Sequence, residues 1–286
     1  MYRITTDSVV DLTPERMREL DVAFAPLRVH IGELELIDDM RPETIETLMQ
    51  AMRDGKMATT SQVTEEGFLA MWTPILESGE DVLYIGISSG LSGTVNSAHI
   101  ARQELLARFP EREILILDSL AASSGESLLL EEAVELKNSG TTLEACYKKL
   151  EQIKNSLQVW FTLVDLTYAR RGGRVSGAAA AVASLLHIKP VMYIDDEGKA
   201  AAREKIKGRR GAIRRLYEIL CEKIDLAHKY VHITQVECME EAKGLAKSIQ
   251  DRFPELLVRI YTMGAVIGTH GGPGTLSLSF VGKGVR

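Results

Sequence analysis

Apolar residues along the chain fall into short runs, separated by small, hydroxyl-rich turns and by amphipathic stretches of helical period. Val82 to Ile87 is an apolar, β-favouring run of the kind a buried strand needs. Ser88-Ser89-Gly90-Leu91-Ser92-Gly93-Thr94 follows, and Val95 to Phe109 then reads as a helix. The same succession recurs nearby. Met1–Thr6 reads as a first strand, and Thr13 with Pro14 is a helix start, the threonine as N-cap and the proline in the first turn. Ala23–Ile31 is strand-like, and Pro42–Arg53 is an amphipathic helix closed by Gly55. A hydroxyl cluster at Thr59–Thr64 precedes a helix containing Phe68 to Leu76. Glu113–Leu117 forms a strand that leads through Asp118-Ser119 into a helix around Gly125–Lys137. This alternation predicts βαβ units and a mostly parallel sheet flanked by helices.

The pattern changes near Asn138–Leu157, where a helix over Leu143–Asn155 gives way to a strand over Val159–Leu163. A boundary near Ser156 divides the chain into an N-terminal α/β domain, residues 1–156, which holds the hydroxyl-rich loops, and a C-terminal α/β domain, residues 157–286. The second part carries Arg170-Arg171-Gly172-Gly173-Arg174-Val175-Ser176 and then an alanine-rich helix through Leu186. A strand over Val191–Ile194 precedes the basic stretch Arg203–Arg215, which merges into a helix. Tyr230–Gln235 reads as a strand, Glu240–Arg252 as a helix and Leu256–Ile267 as strand-rich. Thr269-His270-Gly271-Gly272-Pro273-Gly274-Thr275 places His270 in a turn before an apolar tail.

Composition narrows the class without deciding it. Of 286 residues, 45% are hydrophobic and 26% charged, as in a globular protein, and the net charge of −6 disfavours a nucleic-acid role. The three cysteines, Cys146, Cys221 and Cys238, are far apart and form no CxxC pair, so neither a disulfide framework nor a zinc site is indicated. The opening MYRITTDSVVDL has no apolar core behind a basic segment, and the longest small or apolar run, Gly177 to Leu186, is too short to span a bilayer. A cytoplasmic protein without membrane insertion is the expectation.

Candidate chemistry gathers at the hydroxyl turns. Three of them, after Thr6, Ile87 and Leu117, fall just past strand ends, where ligands collect in open α/β sheets. A strand, a small-residue turn and a helix aim N–H groups and hydroxyls at an anion. Helix capping accounts for one hydroxyl in Ser89-Gly90-Leu91-Ser92-Gly93-Thr94 but not for three with interleaved glycines. The expectation is an oxyanion site at Ser92, for a carboxylate, with Thr60 as a second candidate. No GxxxxGK[ST], no GxGxxG after a strand and no HExxH occurs, so nucleotide and metal warrants are missing. The Arg170–Ser176 run offers an arginine to balance a carboxylate, and His270 is either structural or a ligand group. Seven positive charges in thirteen residues from Arg203 to Arg215 form either a solvated face or a docking surface for an acidic partner.

Taken in order, Thr6-Asp7-Ser8 with Asp11-Leu12, Thr60-Ser61-Gln62, Ile87 through Thr94, Arg171-Gly172-Gly173-Arg174 and Gly268 through Gly274 resemble the DegV family over about residues 3–282. The resemblance implies a two-domain DegV-like α/β fold that binds a long-chain fatty acid, such as palmitate, stearate or oleate, in an apolar tunnel. It implies a carrier rather than an enzyme, without cofactor or metal, that presents its ligand to a fatty acid kinase making an acyl phosphate. Residue by residue, it puts Thr60 and Ser92 at the carboxylate, Ser61 among the ligand-binding residues, Arg170 or Arg171 and His270 in the polar network around the head group, and Arg203 on the kinase-docking surface. Val63, where the family often has proline, and Gly271, where it often has a bulkier residue, depart from the pattern. The residues leave open an alternative, a stand-alone phosphotransferase or hydrolase using Ser92 and His270.

Overall fold

The computed structural model describes residues 1–175 and 187–285. Ser176 and the alanine-rich run through Leu186, expected to form a buried helix, lie outside the described residues.

Four parallel strands form one sheet, in the order Ala23–Ala25, Tyr2–Asp7, Asp81–Gly86, Ile114–Asp118. The last three are almost wholly buried, which is why they read as apolar runs rather than alternating ones. Helix Glu65–Glu77 packs on this sheet through Phe68 and Trp72, whose rings meet each other at 4.8 Å and Tyr84 at 5.0 and 5.6 Å. Trp72 Nε1 donates to Thr5 Oγ1 at 3.1 Å, so the largest core side chain buries no unpaired donor.

A second, mixed sheet of six strands draws entirely on later residues, in the order Ala200–Lys207, Ile188–Ile194, Leu157–Thr162, Leu276–Val281, Tyr230–Gln235, Leu257–Thr262. Its pairs are antiparallel except the last. The apolar tail is thus a wholly buried strand in the middle of this sheet. A small antiparallel sheet of Leu34–Ile37, Arg28–Ile31 and Ala58–Ser61 lies beside the first sheet.

Helix Ser124–Asn138 packs against strands of both large sheets, with Leu128, Leu129, Leu130 and Ala133 fully buried. One core therefore runs from Ile4, Leu83 and Leu117 to Leu157, Ile194 and Val281. Helix Leu143–Ser156 passes directly into strand Leu157–Thr162. We propose this junction as the boundary between two domains that share that core.

Four expectations change. Ala23–Ile31 is two strands in different sheets, because Pro26 has no N–H to give a ladder and the chain turns there. The Thr59–Thr64 cluster begins inside a strand, where Thr60 faces Val29. The basic stretch is a strand and a helix divided by Gly208, whose φ of +76° suits glycine. Most relevant to the site, His270 sits on a helix, Ala265–Gly271, and not in a turn. Carboxylates from distant parts of the chain cap that helix, a contact invisible to local pattern. Among the described residues no helix is long and apolar enough to cross a membrane.

Candidate functional site

A cavity of about 340 Å³ lies where the rim of the parallel sheet meets the second sheet, a volume within the range of small-ligand sites. Its walls are apolar side chains from both halves, among them Leu27, Ile87, Val159, Phe161, Ile194 and Met263. Thr60, Ser61, Gln62, Ser92, Arg174 and His270 also line it. No carboxylate is among the described lining residues.

Strand Ala58–Ser61 presents Thr60, and helix Ala265–Gly271 presents His270 to it, with Nε2 at 2.9 Å from Thr60 Oγ1. Burial, with the Arg174 guanidinium adding to it, pushes the imidazole down to about 4, so His270 is neutral at pH 7. The turn after Arg171 lies against the ring at its other nitrogen: a Cβ on Gly172 would stand 2.0 Å from Nδ1. That close approach gives the first glycine of the Arg-Gly-Gly-Arg motif a physical reason.

Ser92 Oγ is 2.9 Å from Thr94 Oγ1 and accepts the Thr94 N–H at 3.3 Å, while Thr94 Oγ1 in turn accepts the Val63 N–H at 3.4 Å. The turn's two glycines serve close packing. A Cβ on Gly93 would meet Gln62 Oε1 at 2.1 Å, and one on Gly90 the Glu197 carbonyl oxygen at 2.6 Å. Ser88, at the start of the turn, is spent on the protein itself, donating to the Gly198 carbonyl at 2.8 Å. Ser61 Oγ lies 3.0 Å from His30 Nε2.

The arginines separate. Arg170 and Arg171 are exposed on the short helix Thr167–Arg171, and Arg171 borders a small pocket with Met52, Tyr168 and Thr269. Arg174 lines the cavity and bridges its walls, Nε donating to the Leu91 carbonyl at 3.3 Å and Nη1 to the Gly172 carbonyl at 2.6 Å. Arg203 is exposed where the ladder with Ile188–Ile194 slips between Ala202 and Glu204, its guanidinium 5.9 Å from the Tyr193 ring centre. Of the other basic residues, Arg209 pairs with Glu241, Arg214 with Glu218, and Arg215 with Glu204 and Glu222.

Five of the described polar lining residues, Gln62, Ser123, Arg174, Thr275 and Ser277, lie outside the candidates that the sequence points to. Arg174 ends the Arg171-Gly172-Gly173-Arg174 motif, and nothing in the sequence separates it from Arg170 and Arg171. Ser123 lies past the strand end at Asp118, with φ 57° and ψ −125°, a conformation rare for a residue with a side chain. Only the density of hydroxyls over Ser119–Ser124 hinted at it. Among the described residues no group of His, Cys, Asp and Glu is placed to hold a metal ion.

Fold and site define an α/β protein of two large sheets with an apolar cavity between them, lined at one part by hydroxyls, a neutral histidine and one arginine. The chain belongs to the DegV family, whose model, described as uncharacterised protein, DegV family, matches residues 1–283. A DegV domain-containing protein of Clostridium perfringens is 37% identical over 283 residues, 98% of this chain and 97% of that protein. Among solved structures, a Thermus thermophilus DegV family protein described by its fatty acid binding is 29% identical, with a TM-score of 0.86 over 98% of this chain and 99% of that one. A stearic acid-binding protein from Eubacterium ventriosum is 25% identical, with a TM-score of 0.88 over 99% of each chain.

Proposed function

We propose that this protein binds a long-chain fatty acid in the cavity, with the carboxylate received by Thr60, Ser61 and Ser92 beside His270. The observation that carries this reading is the pairing of apolar walls with hydroxyls that each have a hydrogen-bond partner behind them. A carboxylate needs donors, so each hydroxyl must keep its own proton for the ligand. His270 is neutral, and as the Nε2–H tautomer it donates to Thr60 Oγ1, freeing the Thr60 proton. Thr94 supports Ser92 the same way, because the Val63 N–H occupies Thr94 Oγ1 as acceptor and leaves Thr94 O–H to donate to Ser92. Arg174 supplies positive charge at this end without lying deep in the protein.

The energetics divide accordingly. A dozen or more methylenes, at about 0.8 kcal/mol each when buried, give on the order of 10 kcal/mol. Association returns several kcal/mol of that. The tail supplies affinity, and the donors set orientation and spare the carboxylate an unpaired burial. The relatives of Thermus thermophilus and Eubacterium ventriosum, described by fatty acid and stearic acid binding, support the ligand class.

On this reading the chain is a carrier that offers its ligand to a separate fatty acid kinase, with exposed Arg203 on the docking surface and Arg170 and Arg171 beside the head-group end. The alternative, hydrolysis or phosphotransfer by Ser92 with His270, needs those two side chains to pair, whereas Ser92 pairs with Thr94 and His270 with Thr60. A crystal structure with palmitate tests the reading. The carboxylate is expected within hydrogen-bond distance of Thr60 and Ser92, and a carboxylate at the other end of the cavity would overturn it.

A further inference from the structure

Thr60 and Ser92 belong to the first half of the chain and His270 to the second, so their geometry depends on how helix Ala265–Gly271 is seated against the first half. Two buried carboxylates seat it. Asp38 receives the first turn of the helix with both oxygens, Oδ1 from the Ala265 N–H and Oδ2 from the Val266 N–H, each at 3.0 Å. Asp11 Oδ1 accepts the Gly264 N–H at 2.8 Å, and its Oδ2 accepts from the Ser123 hydroxyl. Both aspartates are wholly buried. Residue 264 has to be glycine for this arrangement, since a Cβ there would lie 2.8 Å from Asp38 Oδ1 and 3.1 Å from Asp11 Oδ1.

Neither aspartate is among the described lining residues of the cavity, yet each is one short element away from it. The helix that Asp38 caps presents Val266, Ile267 and His270 to the cavity, and the serine that Asp11 holds lines it directly. Asp11 and Ser123 both have positive φ, at 51° and 57°, so the backbone accepts strain at two non-glycine residues where this contact is made. A carboxylate also suits the first turn of a helix, whose unpaired N–H groups and dipole favour negative charge.

We propose that Asp38 and Asp11 are positioning residues for the head-group site. They fix the register of helix Ala265–Gly271 so that His270 Nε2 meets Thr60 Oγ1, and thereby set how strongly the cavity prefers a carboxylate over a neutral head group. The inference rests on the fatty-acid reading above.

A double-mutant cycle on the full chain tests it, with palmitate and 1-hexadecanol as probes, because the two share a tail and differ at the head group. Asp38→Asn puts an amide N–H₂ against a backbone N–H that the carboxylate accepted. It is expected to weaken palmitate binding about tenfold while hexadecanol binding stays within about twofold. In a His270→Ala background the same change should cost palmitate nothing further, since the aspartate acts through the histidine. Equal losses for both probes, or a full additional loss in the His270→Ala background, would mark Asp38 as ordinary scaffold and overturn the inference. Should Asp38→Asn not fold, Gly264→Ala displaces the same carboxylate and is read by the same two ratios. A wild-type protein that binds hexadecanol as tightly as palmitate would overturn the fatty-acid reading itself, and this inference with it. Wild-type preference for palmitate that survives in Asp38→Asn would overturn the inference alone.

Discussion

Thr6-Asp7-Ser8 and Ser88 through Ser92 are polar turns at the carboxyl ends of neighbouring parallel strands, and in sequence they look alike. In the fold they do different work. Asp7 accepts from the Val9 N–H at 3.0 Å, the Tyr84 hydroxyl at 2.7 Å and the Ile87 N–H at 3.0 Å. Thr6 Oγ1 donates to Glu126 at 2.9 Å, and Ser8 Oγ accepts the Leu27 N–H at 3.1 Å. All three residues are wholly buried. The second turn is closed at Ser88 and faces the cavity at Ser92. Polar residues at a strand end are thus candidates for ligand contact only where their capacity is not already taken up by the protein.

The contrast can be broken most forcefully at Asp7. Asp7→Ala orphans the Tyr84 hydroxyl and two backbone N–H groups, with an expected loss of about 3 kcal/mol in stability by chemical denaturation. Palmitate affinity of the folded fraction should change by less than about twofold. Thr60→Ala and Ser92→Ala should show the reverse signature. Each is expected to weaken palmitate binding by roughly 1 to 3 kcal/mol, read by calorimetry, with stability within about 0.5 kcal/mol of wild type. A pair of variants that lost stability and affinity together would erase the distinction between the two turns.

Acid titration sharpens the comparison. His270 is held down to about 4, against an ordinary value of 6.5. The unfolded chain therefore binds more protons than the folded one between those values, and this residue's contribution to stability is lost as pH falls from 6.5 towards 4. Asp7 and Asp38, raised by burial to about 6 from 3.8, act in the opposite sense: their contribution is lost as pH rises through 4 to 6. His270→Gln should remove a slope of at most about 1.4 kcal/mol per pH unit from the stability profile in that window. An unchanged profile would show that the imbalance resides elsewhere. The smallest effect belongs to Arg203→Ala, which meets only the face of Tyr193 among its described ring contacts. Stability within about 0.5 kcal/mol and unchanged palmitate affinity are expected, with any loss confined to acyl phosphate formation by an added kinase.

Much of the fold was legible because the parallel sheet obeys local rules: buried apolar strands, capped helices and turns between them. Ala23–Ile31 reads as one apolar strand, but Pro26 cannot extend a ladder and divides it in two. The glycines that crowd His270 read locally as a turn, while the capping of its helix comes from Asp11 and Asp38, more than two hundred residues away. The candidate site was legible as a set of hydroxyls but not as a geometry. Sequence shows that Ser88, Ser89 and Ser92 are near one another; only the fold shows that Ser88 is committed to Gly198 and that Arg174, rather than its neighbours, bridges Leu91 and Gly172 at the cavity. Long-range pairing is what residue patterns carry least well.

Native mass spectrometry of the purified protein addresses the central claim most directly. The account predicts a species heavier than the chain by the mass of one long-chain fatty acid, with that acid recovered on denaturation, or a ligand-free chain that takes up one equivalent of palmitate or oleate. A ligand-free protein that takes up neither would contradict it.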